Sequence, residues 1–269
     1  MAGQSAHVIV ANPHGITCDG CGFINTPQAT LTTGRPVIEN GQLTRYQVDQ
    51  GSVAIEGAGL NASNVDRFEI ITRAARLNAQ IQANKLTIVA GRNDVEAGTL
   101  NATARAADGS QAPDLAIDSS ALGGMYVGAV KLVGTEAGVG VRMAGDMMSG
   151  GDIQIDAAGQ LLMGQTSAAT TVNVKAQSVD VQGAVYAGSD LALTTQGALT
   201  NQGTLAARNN VTLDAGGRLT KPTAASSRLA STRTTVATAK AICSSRRRPS
   251  ITLAKASSPV ATCACKPVN

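Results

Sequence analysis

Between residues 150 and 220 one pattern recurs: GDIQIDAAGQL (151–161), TVNVKAQSV (171–179), DLALTTQGAL (190–199) and NVTLDAGGRL (210–219). Each stretch holds an apolar-x-apolar pair, and in three of the four a glycine follows four residues on. The pairs are Ile153/Ile155, Val172/Val174, Leu191/Leu193 and Val211/Leu213, spaced by 19, 19 and 20 residues. Alternation at period two specifies a strand with one buried and one wet face. A period this short has no room for a helix of about ten residues plus its turns. Stacked in register, the four pairs form an aliphatic ladder with rungs about 4.8 Å apart. The expected fold is therefore all-β, a right-handed parallel β-helix in which each coil encloses a core only by leaning on its neighbours.

Composition agrees with thin, repeated layers. The chain has no Trp, two Phe and three Tyr among 269 residues, so its core must come from Val, Ile, Leu and Ala. All 29 glycines precede Lys221, and they are expected to supply positive φ at the coil corners. Upstream the pattern is looser but similar in SVAIEGAGLNAS (52–63), KLTIVAGRND (85–94) and LAIDSSALGGMYVGAVKLVG (115–134). The segment 66–84 fits an amphipathic helix, but Phe68, Ile70, Leu77, Ala79, Ile81 and Ala83 also fit strand alternation, which is the preferred reading.

Charge divides the chain at the same place. Residues 1–220 carry 13 Lys/Arg against 18 Asp/Glu, whereas residues 221–269 carry 9 Lys/Arg and no acid. The second segment is half Ser, Thr and Ala, contains Arg246–Arg248, and is expected to be a disordered basic tail. Its abrupt start reads as an out-of-frame extension rather than a nucleic-acid arm, so no nucleic-acid partner is expected. No apolar run is long enough to cross a bilayer as a helix. The first fifteen residues lack the basic and apolar blocks of a signal peptide.

Candidates for chemistry are few. Cys18 and Cys21, spaced C-x-x-C, suit a redox pair, half of a zinc site or a structural corner. The sequence around them reads as strand rather than strand-to-helix, and His7 and His14 are the only histidines. A structural role, as a disulfide or as packed thiols, is preferred, with no metal and no cofactor. The carboxylate pairs Asp94/Glu96 and Asp152/Asp156 lack an evident saccharide platform and read as solvated faces. No catalytic residue is assigned. Asn12-Pro13-His14-Gly15 reads as a tight turn, with Asn capping its own backbone, Pro fixing φ and Gly in a left-handed position.

The stretch VIVANPHGITCDGCGFINTPQATLTTGRP (8–36) resembles the second half of the secretion domain of filamentous haemagglutinin. That family comprises large exoproteins of two-partner secretion systems, including contact-dependent inhibition proteins. The match falls at Asn12, Pro13, Gly15, Ile16, Gly22, Phe23, Ile24 and Asn25, with His14 where the family carries a second Asn. It covers residues 2–100 strongly, and residues 101–220 as haemagglutinin-type repeats. The resemblance implies a β-helical rod, recognition by an outer-membrane two-partner secretion transporter, and a secretion motif built from Asn12, Pro13, Gly15, Ile16, Phe23 and Asn25. The family's first half and its signal peptide are missing from 1–269, so the fragment is expected to present an incomplete domain and to remain in the cytoplasm.

The expected division is 1–100 secretion domain, 101–220 β-helical repeats and 221–269 tail. The expected function is that of a non-enzymatic fragment of a secreted, surface-associated adhesin whose receptor lies on a host or neighbouring cell. The alternatives are the stalk of a contact-dependent inhibition toxin and, behind it, a β-helix polysaccharide-degrading enzyme.

Overall fold

The recurring aliphatic pairs stack as their spacing demands. In the computed structural model Ile153 pairs with Val172, Val172 with Leu191 and Leu191 with Val211, all parallel, and Ile155, Val174, Leu193 and Leu213 pair likewise two positions on. The structure describes residues 6–106 and 108–220, and beyond them only the backbone of Leu229–Ala230, Arg233–Val236 and Lys240–Ala241.

Each coil has three faces. The third face holds the ladder and runs through ten rungs, from His7–Ala11 through Gln28–Thr32 and Arg67–Thr72 to the backbone of Arg233–Val236. The first face stacks Ile16, Val53, Ala75, Ile117, Val141, Leu161, Val179, Leu199 and Leu219. The second stacks Cys21, Leu60, Ile81, Met125, Met147, Thr166, Val185 and Leu205. Parallel strands joined by coil turns wind right-handed. The inward residues make one continuous core from Cys18 to Ala215. Burying each inward Val, Ile or Leu contributes roughly 1.5–3 kcal/mol, and only because a coil lies on either side.

Among the described residues there is no helix, and the ambiguous 66–84 segment forms the strands Arg67–Thr72 and Ala74–Leu77 and enters Ile81–Ala90. The expected disordered tail lies outside the described residues apart from the three short backbone strands, which pair in parallel with the coil before them.

The structure adds one feature to the expected solenoid and corrects one expectation. The addition is a sheet outside the coils. The chain leaves the solenoid twice, at residues 33–51 and 91–114, and the strands Arg35–Glu39, Gln42–Gln47, Asn93–Glu96 and Ala102–Ala104 join into one antiparallel sheet. This sheet covers the outer side of the third face, where Tyr46, Val48 and Val95 bury Ile71 and Val89. The sequence explains the cover: Ile70-Ile71 and Ile88-Val89 break the alternation, as in strands buried on both sides. The correction concerns the repeat glycines. Among the described residues positive φ occurs at nine glycines, the last of them Gly138. In the repeats the constraint is space: a Cβ on Gly159 would lie 2.1 Å from the Val139 carbonyl oxygen, and one on Gly216 2.4 Å from that of Gln196. There glycine lets successive coils close on each other.

Candidate functional site

The turn at residues 12–15 begins the coil that carries the sequence motif. The Asn12 side-chain oxygen accepts a hydrogen bond from the His14 amide at 3.1 Å, and its backbone carbonyl accepts one from the Gly15 amide at 3.2 Å. The Asn12 amide donates to the Thr32 carbonyl at 3.0 Å, tying the turn to the next coil. Gly15 has a φ of +135°, and a Cβ there would sit 3.1 Å from the Ser52 carbonyl oxygen. On the other side of the turn Gly51 packs closely, since a Cβ on it would lie 2.6 Å from the Pro13 carbonyl oxygen. Asn12, Pro13 and Gly15 thus set how closely the first complete coil docks on the second.

Ile16 then starts the first-face strand opposite Val53. Cys18 points inward and is fully buried, and a disulfide joins it to Cys21 at the start of the second face. Between them the register shifts at a bulge where Gly20 has a φ of +71°. Asp19 points outward and accepts the Ala58 amide at 2.8 Å. The bridge therefore staples two faces across one corner.

Beyond the corner, Phe23 packs on Phe68 with ring centroids 5.5 Å apart and planes at 55°. Its carbonyl accepts a short hydrogen bond from the Asn64 side chain. Ile24 is 91% exposed, and Asn25 takes a φ of +56°, a conformation that Asn tolerates best among non-glycine residues. Gly22, Phe23, Ile24, Asn61, Ser63 and Asn64 line an open hollow of about 340 Å³. The motif residues thus lie on one coil, with Phe23 as anchor and Ile24 as an apolar side chain held out to solvent. Among the described residues, His7–Ala11 and Ile16–Gly22 pair only with the following coil.

Two groupings near this coil are not legible in the motif. On the outer side of the third face Glu69, only 2% exposed, accepts hydrogen bonds from Gln28 Nε2 and Thr30 Oγ1, each at 2.7 Å. Thr30 Oγ1 in turn lies 2.8 Å from His7 Nε2. Burial holds the His7 imidazole below its ordinary pKa, with Glu69 pulling it up and Arg67 pushing it down. Around the inserted sheet, Asp49 pairs with Arg92 at 3.0 Å and with Arg105 at 3.1 Å, and Arg73 pairs with Glu136 at 2.9 Å. Spacing along the chain could not reveal these pairs, because the two insertions meet only once the coils have stacked.

The carboxylate pairs separate. Asp94 pairs with Arg105 at 2.8 Å, and Glu96 accepts the Thr99 hydroxyl at 2.6 Å. Asp152 accepts hydrogen bonds from Thr170 and Thr171 on the next coil, which hold its carboxyl below the usual range, while Asp156 points to solvent in the adjoining strand.

The family description "TPS secretion domain" matches residues 1–163, and "Haemagglutinin repeat" matches residues 165–220. The chain is 46% identical over 223 residues to the 16S rRNA endonuclease CdiA of Enterobacter cloacae subsp. cloacae, covering 82% of this chain and 7% of that protein. It is 48% identical over 189 residues to the Toxin CdiA of Yersinia pestis, covering 69% of this chain and 6% of that one. The crystal structure of the filamentous hemagglutinin secretion domain superposes with a TM-score of 0.56 at 29% identity, over 87% of this chain and 67% of that one. The chain thus spans a small fraction of the length of these curated relatives. It belongs to the two-partner secretion exoproteins, as a TPS secretion domain that runs on into haemagglutinin repeats.

Proposed function

We propose that this chain is the export module and first stem coils of a cell-surface exoprotein of the contact-dependent inhibition type. The corner from Asn12 to Asn25 is the part read by a partner transporter in the outer membrane. The observation that carries this reading is that Asn12, Pro13, Gly15, Ile16, Phe23 and Asn25 all lie on one coil, the first among the described residues, with Ile24 held out to solvent at its second corner. The segment itself does no catalysis: the nuclease activities named for relatives belong to proteins of which it spans 7% or less. Toxin delivery is preferred to simple adhesion because the CdiA relatives reach 46–48% identity, against 29% for the haemagglutinin secretion domain. The adhesin reading draws its support from the haemagglutinin repeats at 165–220. The functional location is the cell exterior, and the receptor is a component of a neighbouring or host cell.

The test adds a signal peptide upstream of residue 1, co-expresses the transporter of a CdiA relative, and measures the chain in the medium. Export that depends on the transporter and falls to background in the Asn12→Ala/Pro13→Ala double variant is expected, with a partial loss for Ile24→Asp. Undiminished export of the double variant, or export without the transporter, contradicts the proposal.

A further inference from the structure

Of the three tyrosines, Tyr46 belongs to the inserted sheet and is buried against the third face, while Tyr126 and Tyr186 stand on the outer side of the second face. Sequence places them far apart; the coil register aligns them. Gln82 pairs with Tyr126, Tyr126 with Met148, Met148 with Ser167 and Ser167 with Tyr186. The two rings are three rungs apart, about 14 Å along the axis. Asn61 extends the line beyond Gln82. None of these six outward positions is charged. The other two faces differ: Asp118 and Arg142 pair outside the first at 2.7 Å, and Lys131, Asp156 and Lys175 stand outside the third.

Beside Tyr126 lies a hollow of about 300 Å³ lined by Gln80, Ala121, Leu122, Gly124, Tyr126 and Asp146. The Tyr126 ring folds back over Gly124, where a Cβ would come within 2.9 Å of its Cε2. Leu122 is 85% exposed at the rim. The side chains of Gln80 and Asp146 make no hydrogen bond or ion pair with another described residue, so both remain available to a ligand.

We infer that the second face is a binding surface for a neutral saccharide chain, with Tyr126 and its hollow as one subsite and Tyr186 as another. A pyranose has an apolar C–H face and a rim of hydroxyls. The face stacks on an aromatic ring, while the rim donates to a carboxylate and accepts from a carboxamide, which is what Tyr126, Asp146 and Gln80 offer together. Asp146 supplies the one charge in the hollow and disfavours anionic sugars. The spacing of the rings suits an extended oligosaccharide lying along the rod. A second copy of the chain is the poorer fit, because the core of such an interface is a contiguous apolar patch, and here Ser167 and the amides interrupt it.

The test titrates the chain with maltohexaose, cellohexaose and a heparin-derived hexasaccharide, followed by amide NMR shifts. Shifts confined to second-face residues with at least one neutral hexasaccharide are expected. Tyr126→Ala and Tyr186→Ala should each weaken that binding about tenfold, the scale of one lost stacking contact, while Tyr126→Phe retains it. All variants should keep the parent β spectrum. Absence of binding to either neutral hexasaccharide overturns the inference. So do unchanged affinity in both alanine variants and tighter binding of the heparin fragment. Self-association that these variants abolish, without saccharide binding, also overturns it.

Discussion

The coils before residue 140 and those after it solve the same problem with different means. In the later coils each rung repeats the last, the strand Ile153–Met163 alternates buried and exposed along most of its length, and glycines let adjacent backbones close up. In the earlier coils the period is broken by insertions, glycines with positive φ turn the corners, and ion pairs at Asp49 and Arg73 hold the inserted sheet in place. A repetitive rod needs only aliphatic side chains at fixed intervals. The earlier coils depart from that rule, and the motif from Asn12 to Asn25 lies on the first of them among the described residues.

Substitutions sharpen this contrast. Ile155, buried between Leu132 and Val174, should show the largest effect: Ile155→Ala leaves a cavity costing about 2–5 kcal/mol, and in a stacked array the loss spreads to the neighbouring coils. Urea unfolding followed by circular dichroism measures it, and a change well below 1 kcal/mol would mean that the ladder is not the core.

Two glycines come next. Gly159→Ala should cost about 1–3 kcal/mol, because its Cβ meets the Val139 carbonyl oxygen at 2.1 Å and the coils must part. Gly41 has a φ of +76° with no atom within 4 Å of a built Cβ, so Gly41→Ala carries only conformational strain, of about 1 kcal/mol. Equal costs for the two would erase the distinction between closeness and φ as the reason for glycine.

The smallest effect concerns pH. Burial is the largest cause that lowers the His7 pKa, so the folded state favours the neutral ring. The stability it contributes is present above the unfolded value near 6.5 and is lost as pH falls through the lower folded value. NMR titration of His7 should give a midpoint below 6.5, and His7→Gln should remove that part of the acid sensitivity. A midpoint above 6.5 would show that Glu69 outweighs burial.

How much could be read in advance follows the same division. Between residues 153 and 215 the third-face ladder was legible, because Ile, Val and Leu alternate there without interruption. The other two faces were not, since segments such as Thr166–Ala168 and Ala184–Ala187 are three or four residues of Thr, Ser, Ala, Val and Tyr with little periodic signal. The inserted sheet announced itself only in doublets such as Ile70-Ile71. Spacing left the cysteines open among redox, metal and structural roles, and the coil corner joins them in a disulfide. The alignment of Tyr126 with Tyr186 depends on register between coils, which no local pattern encodes.

The central claim is that residues far apart in sequence stand on successive rungs of one rod. Spin labels at outward third-face positions test it most directly, with Cys243, Cys263 and Cys265 first replaced by Ser. The register runs from Lys131 through Gln154, Asn173 and Ala192 to Thr212. Backbone separations of about 10 Å for Lys131–Asn173 and about 19 Å for Lys131–Thr212 are predicted, growing by about 4.8 Å per coil. Label distances that fail to grow with rung number, or that spread into a broad distribution, would contradict the stacked rod.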